Sequence, residues 1–235
     1  SFTETPPPTG NIRNIAEFEP NEGVIVAYRG WGFGIPLNLI AEIAEDVNVV
    51  TIVRNQTERD DVIQIYLQNG VDTSNCEFLS AYTNSYWTRD YSPWFIDVDG
   101  EVALVDFPYN RPRPDDDYIP IKYADAFGMK LYGMNITTTG GNWMCDGLGV
   151  AASTDLIYDE NSNLSSSTIN SLVFDYLGVT KYHITEDPQG AYIKHIDCWG
   201  KFLDVDKILI AKVAESNPQY NKYEEMASYW ASQTS

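Results

Sequence analysis

Trp94-Phe-Ile-Asp-Val-Asp-Gly-Glu-Val-Ala-Leu-Val-Asp-Phe107 decides how this chain is built. Two runs rich in β-branched and aromatic residues flank Asp99-Gly100, a dipeptide suited to a two-residue turn with positive φ at both positions, so 94–107 reads as a β-hairpin. Similar stretches recur at 142–156 around Asp146-Gly147 and at 195–213 around Asp204-Val-Asp206. Their starts lie about 50 residues apart, a period that marks repeated supersecondary units. Helices are predicted between and after them, at 121–127, 166–177 and 223–231. Each unit therefore reads as two antiparallel strands, a helix and a returning strand. Radial repetition of such ββαβ units brings the starts of equivalent strands around one axis, where residues distant in sequence converge. The expected fold class is α/β, an α/β propeller; the alternative is an ordinary mixed sheet.

The N-terminal part alternates strand and helix: strands at 24–28, 47–53 and 76–80, and helices at 36–46 and 57–68, with Thr57 as N-cap and Gly70 at the exit. At 235 residues and 43% hydrophobic, the chain suits one core, taken as a single domain over 1–235. Its longest apolar runs, such as 47–53, fall far short of the roughly 20 residues a membrane span needs. Fifteen basic against 34 acidic residues give a net charge of −19, which argues against a nucleic-acid partner and favours cationic ligands or a solvated acidic surface. Cys76, Cys145 and Cys198 form no CxxC pair and are odd in number, so they describe neither a disulfide framework nor a zinc site. No cofactor or metal is called for. The first residues, Ser1-Phe-Thr-Glu-Thr and then Pro6-Pro7-Pro8, have neither the charged nor the apolar region of a signal peptide, and read as a processed or trimmed end.

Chemistry concentrates in a few stretches. His195-Ile-Asp197 is read as the start of the third hairpin, where alternation places both side chains on one strand face and turns Cys198 away. All three cysteines are expected to be inert thiols. Trp87-Thr-Arg89-Asp90-Tyr-Ser-Pro-Trp94 is too polar for a core strand and too aromatic for a free loop. An indole face with a neighbouring carboxylate suits a planar cation; the plainer reading is a surface Arg89–Asp90 pair beside a packed tryptophan. Gly140-Gly141 permits a close backbone approach, and Asn142 can orient a polar ligand. Arg111-Pro-Arg113, held extended by proline, points two guanidinium forks one way, toward a ligand carboxylate or toward the adjacent Asp115-Asp116-Asp117.

Taken in order, Ala16-Glu-Phe-Glu-Pro20, Trp87-Thr-Arg-Asp90, Val105-Asp-Phe-Pro-Tyr-Asn110, Gly140-Gly-Asn142 and His195-Ile-Asp197 with Lys201-Phe202 resemble the guanidino-group-modifying enzymes, in their bacterial peptidylarginine deiminase and agmatine deiminase branch. The resemblance implies the pentein fold, a fan of five ββαβ units. It also implies hydrolysis of a guanidinium group to a ureido group plus ammonia, through a cysteine thiouronium intermediate. By motif, Asp90 and Asp197 would grip the guanidinium, Trp87 would line its slot, His195 would be general acid and base, and Tyr192 a further pocket residue. Arg111 and Arg113 stand where agmatine deiminases carry small and tryptophan residues. They align the chain with the secreted, Porphyromonas-type peptidylarginine deiminases and imply citrullination of peptides or proteins ending in arginine.

The family places its nucleophile in a His-Cys motif beyond the region matched, so the 235 residues are expected to be an incomplete pentein, inactive alone. A C-terminal segment or second chain would carry the cysteine. A secreted or cell-surface, bacterial protein is expected from the resemblance. The alternatives are an agmatine or free-arginine deiminase and, from another class, a catalytically inactive binder of arginine-rich peptides.

Overall fold

A computed structural model describes residues 2–233; Ser1, on which the processed end was read, and the last two residues lie outside it. The chain opens with β1 (Ile12–Asn14), then alternates β2 (Gly23–Ala27), α1 (Leu37–Asp46), β3 (Asn48–Val53), α2 (Gln56–Gln68) and β4 (Cys76–Ser80). The strands β2, β3 and β4 are parallel, in that order, as right for strands joined by helices. Their near-continuous apolar character follows from burial on both faces, with α1 and α2 covering one side through Ile40, Ala44, Val62 and Tyr66. The α2 helix is capped two residues before the expected position. Asn55, in extended conformation, accepts from the Glu58 amide at 3.1 Å and takes the capping role assigned to Thr57.

A short helix, α3 (Thr88–Tyr91), leads into the hairpin of β5 (Trp94–Val98) and β6 (Glu101–Asp106). Asp99 and Gly100 both have positive φ, 54° and 90°, so the turn is of the primed kind that matches strand twist. After α4 (Pro114–Asp117) and α5 (Ile119–Phe127), β7 (Leu131–Gly133) returns parallel to β6, and β1 pairs antiparallel with β5. The pattern repeats: β8 (Met144–Cys145) and β9 (Val150–Thr154) are antiparallel, α6 (Leu156–Glu160) and α7 (Ser166–Leu177) follow, and β10 (Lys181–Thr185) returns parallel to β9. It begins a third time with β11 (Gly200–Asp204), β12 (Lys207–Ile210) and α8 (Tyr220–Ala231). These are separate small sheets of four, three, three and two strands, a mixed α/β fold without a closed barrel among the described residues.

The sheets are joined by packing. The β5–β6 sheet meets the β8–β9 sheet and α7 through Trp94, Ile96, Val105, Trp143, Ala151 and Val173, with the Trp94 and Trp143 rings stacked at 4.5 Å. Asn14 clips this seam, accepting from Trp143 Nε1 at 2.7 Å and donating to the Phe95 carbonyl at 2.8 Å. At the end of α7, Gly178 has φ 66°, and a side chain there would strike the Ile12 carbonyl at 1.9 Å. The last hairpin packs under α8 through Trp199, Ile208, Tyr223 and Trp230.

Asp106 lies in this core, 2% exposed, and burial pushes its carboxyl up to about 7 from an ordinary 3.8. A carboxyl raised on folding supports the native state while protonated; that support is lost as pH rises from about 4 through about 7. Asp106→Asn keeps an oxygen for the Phe107 amide and removes the ionisation. Urea unfolding should show it gaining stability relative to wild type between pH 4 and pH 8, by about 2–4 kcal/mol. A pH-independent difference would contradict the burial cost.

Candidate active site

Each hairpin is entered through a short helical turn: α3 before β5, the 3-10 turn Gly140–Asn142 before β8, and the 3-10 turn Ile196–Cys198 before β11. These three turns pack on one another. Side chains from residues 87–90, 140–142 and 195–197 thereby share one place, although more than a hundred residues separate the first from the last.

The glycines set the distance of approach. A Cβ on Gly140 would sit 2.0 Å from the Arg89 carbonyl, and one on Gly141 would sit 2.4 Å from His195 Nδ1 and 2.6 Å from Asp90 Oδ1. His195 Nδ1 thus comes to 3.6 Å from Asp90 Oδ1. His195 is 3% exposed and its Nε2 is buried without a partner. Burial, then the Arg111 and Arg89 charges, pull its pKa down to about 4, so the imidazole is neutral at pH 7. Burial raises Asp90 and lifts Asp197 to about 6; Thr139, Arg89, Arg111 and Arg113 oppose it for Asp90, and Arg89 for Asp197. Two carboxylates are held where ionisation is costly unless a cation arrives.

Arg89 is the hub beneath them. Its Nη2 donates to the Trp143 carbonyl at 2.8 Å, its Nη1 pairs with Glu17, and its Nε faces Asp197 Oδ2 at 3.7 Å. Over a third of its side chain is open to solvent, although the guanidinium is densely surrounded, as befits the floor of a cleft. Arg89 does not form the surface pair with Asp90 read from the sequence; it reaches across to the other two segments. Glu17 also pairs with Lys201.

The expected strand at His195 is replaced by a turn. Lys194 takes φ 50°, fixed by its ammonium on Asp159 at 2.8 Å and its carbonyl on Thr154, and the strand starts only at Gly200. Strand alternation therefore does not apply and gives no ground for turning Cys198 away: Cys198 is exposed, and the Asp197 carboxylate lies near enough to act on its thiol. Burial and that carboxylate push the thiol up to about 11, while Cys76 is raised to about 11 and Cys145 to about 12, all chiefly by burial. None of these thiols is set up as a thiolate.

Arg111-Pro-Arg113 is not extended either. The Arg113 amide closes a tight turn on the Arg111 carbonyl at 2.8 Å. The acidic run is engaged elsewhere: Asp115 and Asp116 accept from Asn84 and Ser85, and Asp117 accepts from the Tyr109 amide. Among the described residues no carboxylate lies within 4 Å of either arginine; Arg111 Nη1 reaches only the Asn110 carbonyl, and Arg113 Nη1 the Tyr109 hydroxyl, each at 3.5 Å. Both charges are felt by Asp90, which places them at its side of the cleft.

Trp87 is half exposed beside Tyr86, at 4.9 Å between ring centroids. Asn142 is fully buried; its Oδ1 is occupied by the Thr154 amide and hydroxyl, which braces the turn, while its Nδ2 is buried without a partner. Tyr192, 91% exposed, is not brought to the other site residues. An open cavity of about 540 Å³ lies elsewhere, between Pro8, Arg13, Leu148 and Phe174.

Asp90, partly exposed, Asp197, open to solvent, and a neutral His195 are gathered at these turns, with Trp87 at the entry to α3. The family model for Porphyromonas-type peptidyl-arginine deiminases matches residues 35–235, and the chain belongs to that family of hydrolases acting on C–N bonds. Its fold is similar to that of C. jejuni agmatine deiminase (TM-score 0.76, 21% identity, 93% of this chain and 69% of that one). It is also similar to agmatine deiminase of Enterococcus faecalis (0.78, 20%, 96% and 67%). A Porphyromonas gingivalis protein described as an arginine deiminase gives 0.77 at 18% identity, over 92% and 70%.

Gly141→Ala should leave the fold intact and lower guanidinium turnover about a hundredfold, since displacing reacting groups by about 1 Å costs on that order. Unchanged kcat/KM in the natural polypeptide would show that the close approach of the glycine turn is not needed.

Proposed function

We propose that the protein hydrolyses the guanidinium of arginine at a peptide C-terminus, giving peptidyl-citrulline and ammonia. The observation that carries this reading is the pair Arg111 and Arg113, two cations near Asp90 that have no carboxylate within 4 Å among the described residues. Agmatine brings no carboxylate and leaves both charges unserved; a C-terminal arginine brings its α-carboxylate to them while Asp90 and Asp197 receive its guanidinium.

In this reading Asp90 and Asp197 each take N–H donors of the guanidinium, and Trp87 covers its face. A thiolate adds to the central carbon, and His195 delivers a proton to the departing ammonia. His195 then takes a proton from the water that attacks the thiouronium carbon, and the thiolate leaves as the ureido carbonyl forms. A neutral His195 with a free Nε2 suits the second step, and the proton required for the first passes to it from the attacking thiol. The three described thiols are unsuited, so the reading assigns the nucleophile to a part of the protein beyond these 235 residues. The recurrence of hairpin, helix and returning strand, with equivalent turns meeting at one place, supports a radial fan of which these residues form most units.

Arg113→Ala and Arg111→Ala should each lower kcat/KM for benzoyl-glycyl-arginine roughly 30- to 100-fold, the worth of a charge-assisted contact. Activity on the corresponding amide should change less than about threefold on the same scale. Equal losses on both substrates, read by citrulline formation in the natural polypeptide, would remove the basis for C-terminal specificity.

A further inference from the structure

The Ala16-Glu-Phe-Glu-Pro20 stretch lies outside the chemistry above, yet its two glutamates are used differently. Glu19 is structural: it accepts from Arg13 Nη1 and from the Ala16 amide, both at 2.7 Å, and fixes its own loop. Glu17 faces the site floor, one carboxylate oxygen on Arg89 and the other on Lys201. These two cations come from the first and third hairpin segments, so one N-terminal carboxylate ties both.

A cation site built over an arginine has an electrostatic difficulty. Arg89 and Lys201 together offset Asp90 and Asp197, so without a further carboxylate an incoming guanidinium would meet no net attraction from these four groups. We propose that Glu17 is a positioning residue that serves as counter-charge to Arg89 and Lys201, leaving Asp90 and Asp197 free to bind the substrate guanidinium. This rests on the guanidinium-binding reading above. The groups acting on Asp197 are Arg89 and Asp90 from α3 and Cys198 from its own turn, with His195 beside Asp90, Asp187 near Cys198, and Glu17 with Lys201 on the far side of Arg89.

The sign of the effect follows. Without Glu17 the full Arg89 charge acts on Asp197, which ionises more readily, while the site attracts cations less. Without Lys201 the reverse holds. In the natural polypeptide, Glu17→Gln should raise KM about tenfold for both benzoyl-glycyl-arginine and its amide, and move the acid limb of kcat/KM down by at least about half a pH unit. Lys201→Met should move that limb up without raising KM, and Glu17→Asp should restore much of the wild-type profile. Unchanged KM and acid limb in Glu17→Gln, with wild type active, would overturn the counter-charge role alone. So would a loss confined to the carboxylate-bearing substrate, or limbs of Glu17→Gln and Lys201→Met moving the same way, as a merely structural role would give. A wild type that turns over neither substrate would overturn the deiminase reading itself, and the counter-charge role with it.

Discussion

The approach of the Gly140–Asn142 turn to α3 and to His195 is the contact on which the site depends. It is closer than any side chain at position 141 permits, because the space is already taken by Asp90 Oδ1 and His195 Nδ1. Around that contact the protein buries an imidazole and partly desolvates two carboxyls, which is tolerated because each has a compensating group. His195 stays neutral, Asp197 has Arg89, and Asp90 has Thr139 and three arginine charges. Arg89 in turn is held by the Trp143 carbonyl and Glu17. The result is a cleft floor whose carboxylates gain most when a planar cation with several N–H donors enters.

Much of the fold was legible because its signals are local. Asp99-Gly100 dictates a primed turn, and Gly70, with positive φ just after α2, supplies the usual helix exit. The repeat of hairpin, helix and returning strand followed from those signals, and two full copies and the start of a third are present. The errors arose where side chains far away decide the backbone. Lys194 is bent into positive φ by Asp159 and Thr154, which no pattern around His195 announces, and the strand reading failed there together with the orientation of Cys198. Proline suggested an extended Arg111–Arg113 segment, but a three-residue turn forms, and the nearby aspartates are drawn off by Asn84, Ser85 and the Tyr109 amide.

Asp90, His195 and Asp197 were recognisable as residue types in suggestive settings, and the structure brings all three together. Arg89 and Glu17 were not readable as a unit, since a salt link between residues 17 and 89 leaves no periodicity and no spacing to find. Tyr192, chosen for its nearness in sequence to His195, is 91% exposed, and Lys194 with positive φ stands between the two. Proximity along the chain is a poor guide wherever a turn with positive φ intervenes.

In the proposed reading two charge patterns meet, Asp90 and Asp197 for a guanidinium, and Arg111 and Arg113, with no carboxylate within 4 Å among the described residues, for a carboxylate. Only a ligand carrying both groups satisfies both patterns. The most direct test is citrulline formation by the wild-type natural polypeptide from benzoyl-glycyl-arginine, compared with carbamoyl formation from agmatine under the same conditions. The expected result is kcat/KM for the arginine peptide on the order of a hundredfold above that for agmatine, the share of two charge-assisted contacts to its carboxylate. Equal or better turnover of agmatine would contradict the account.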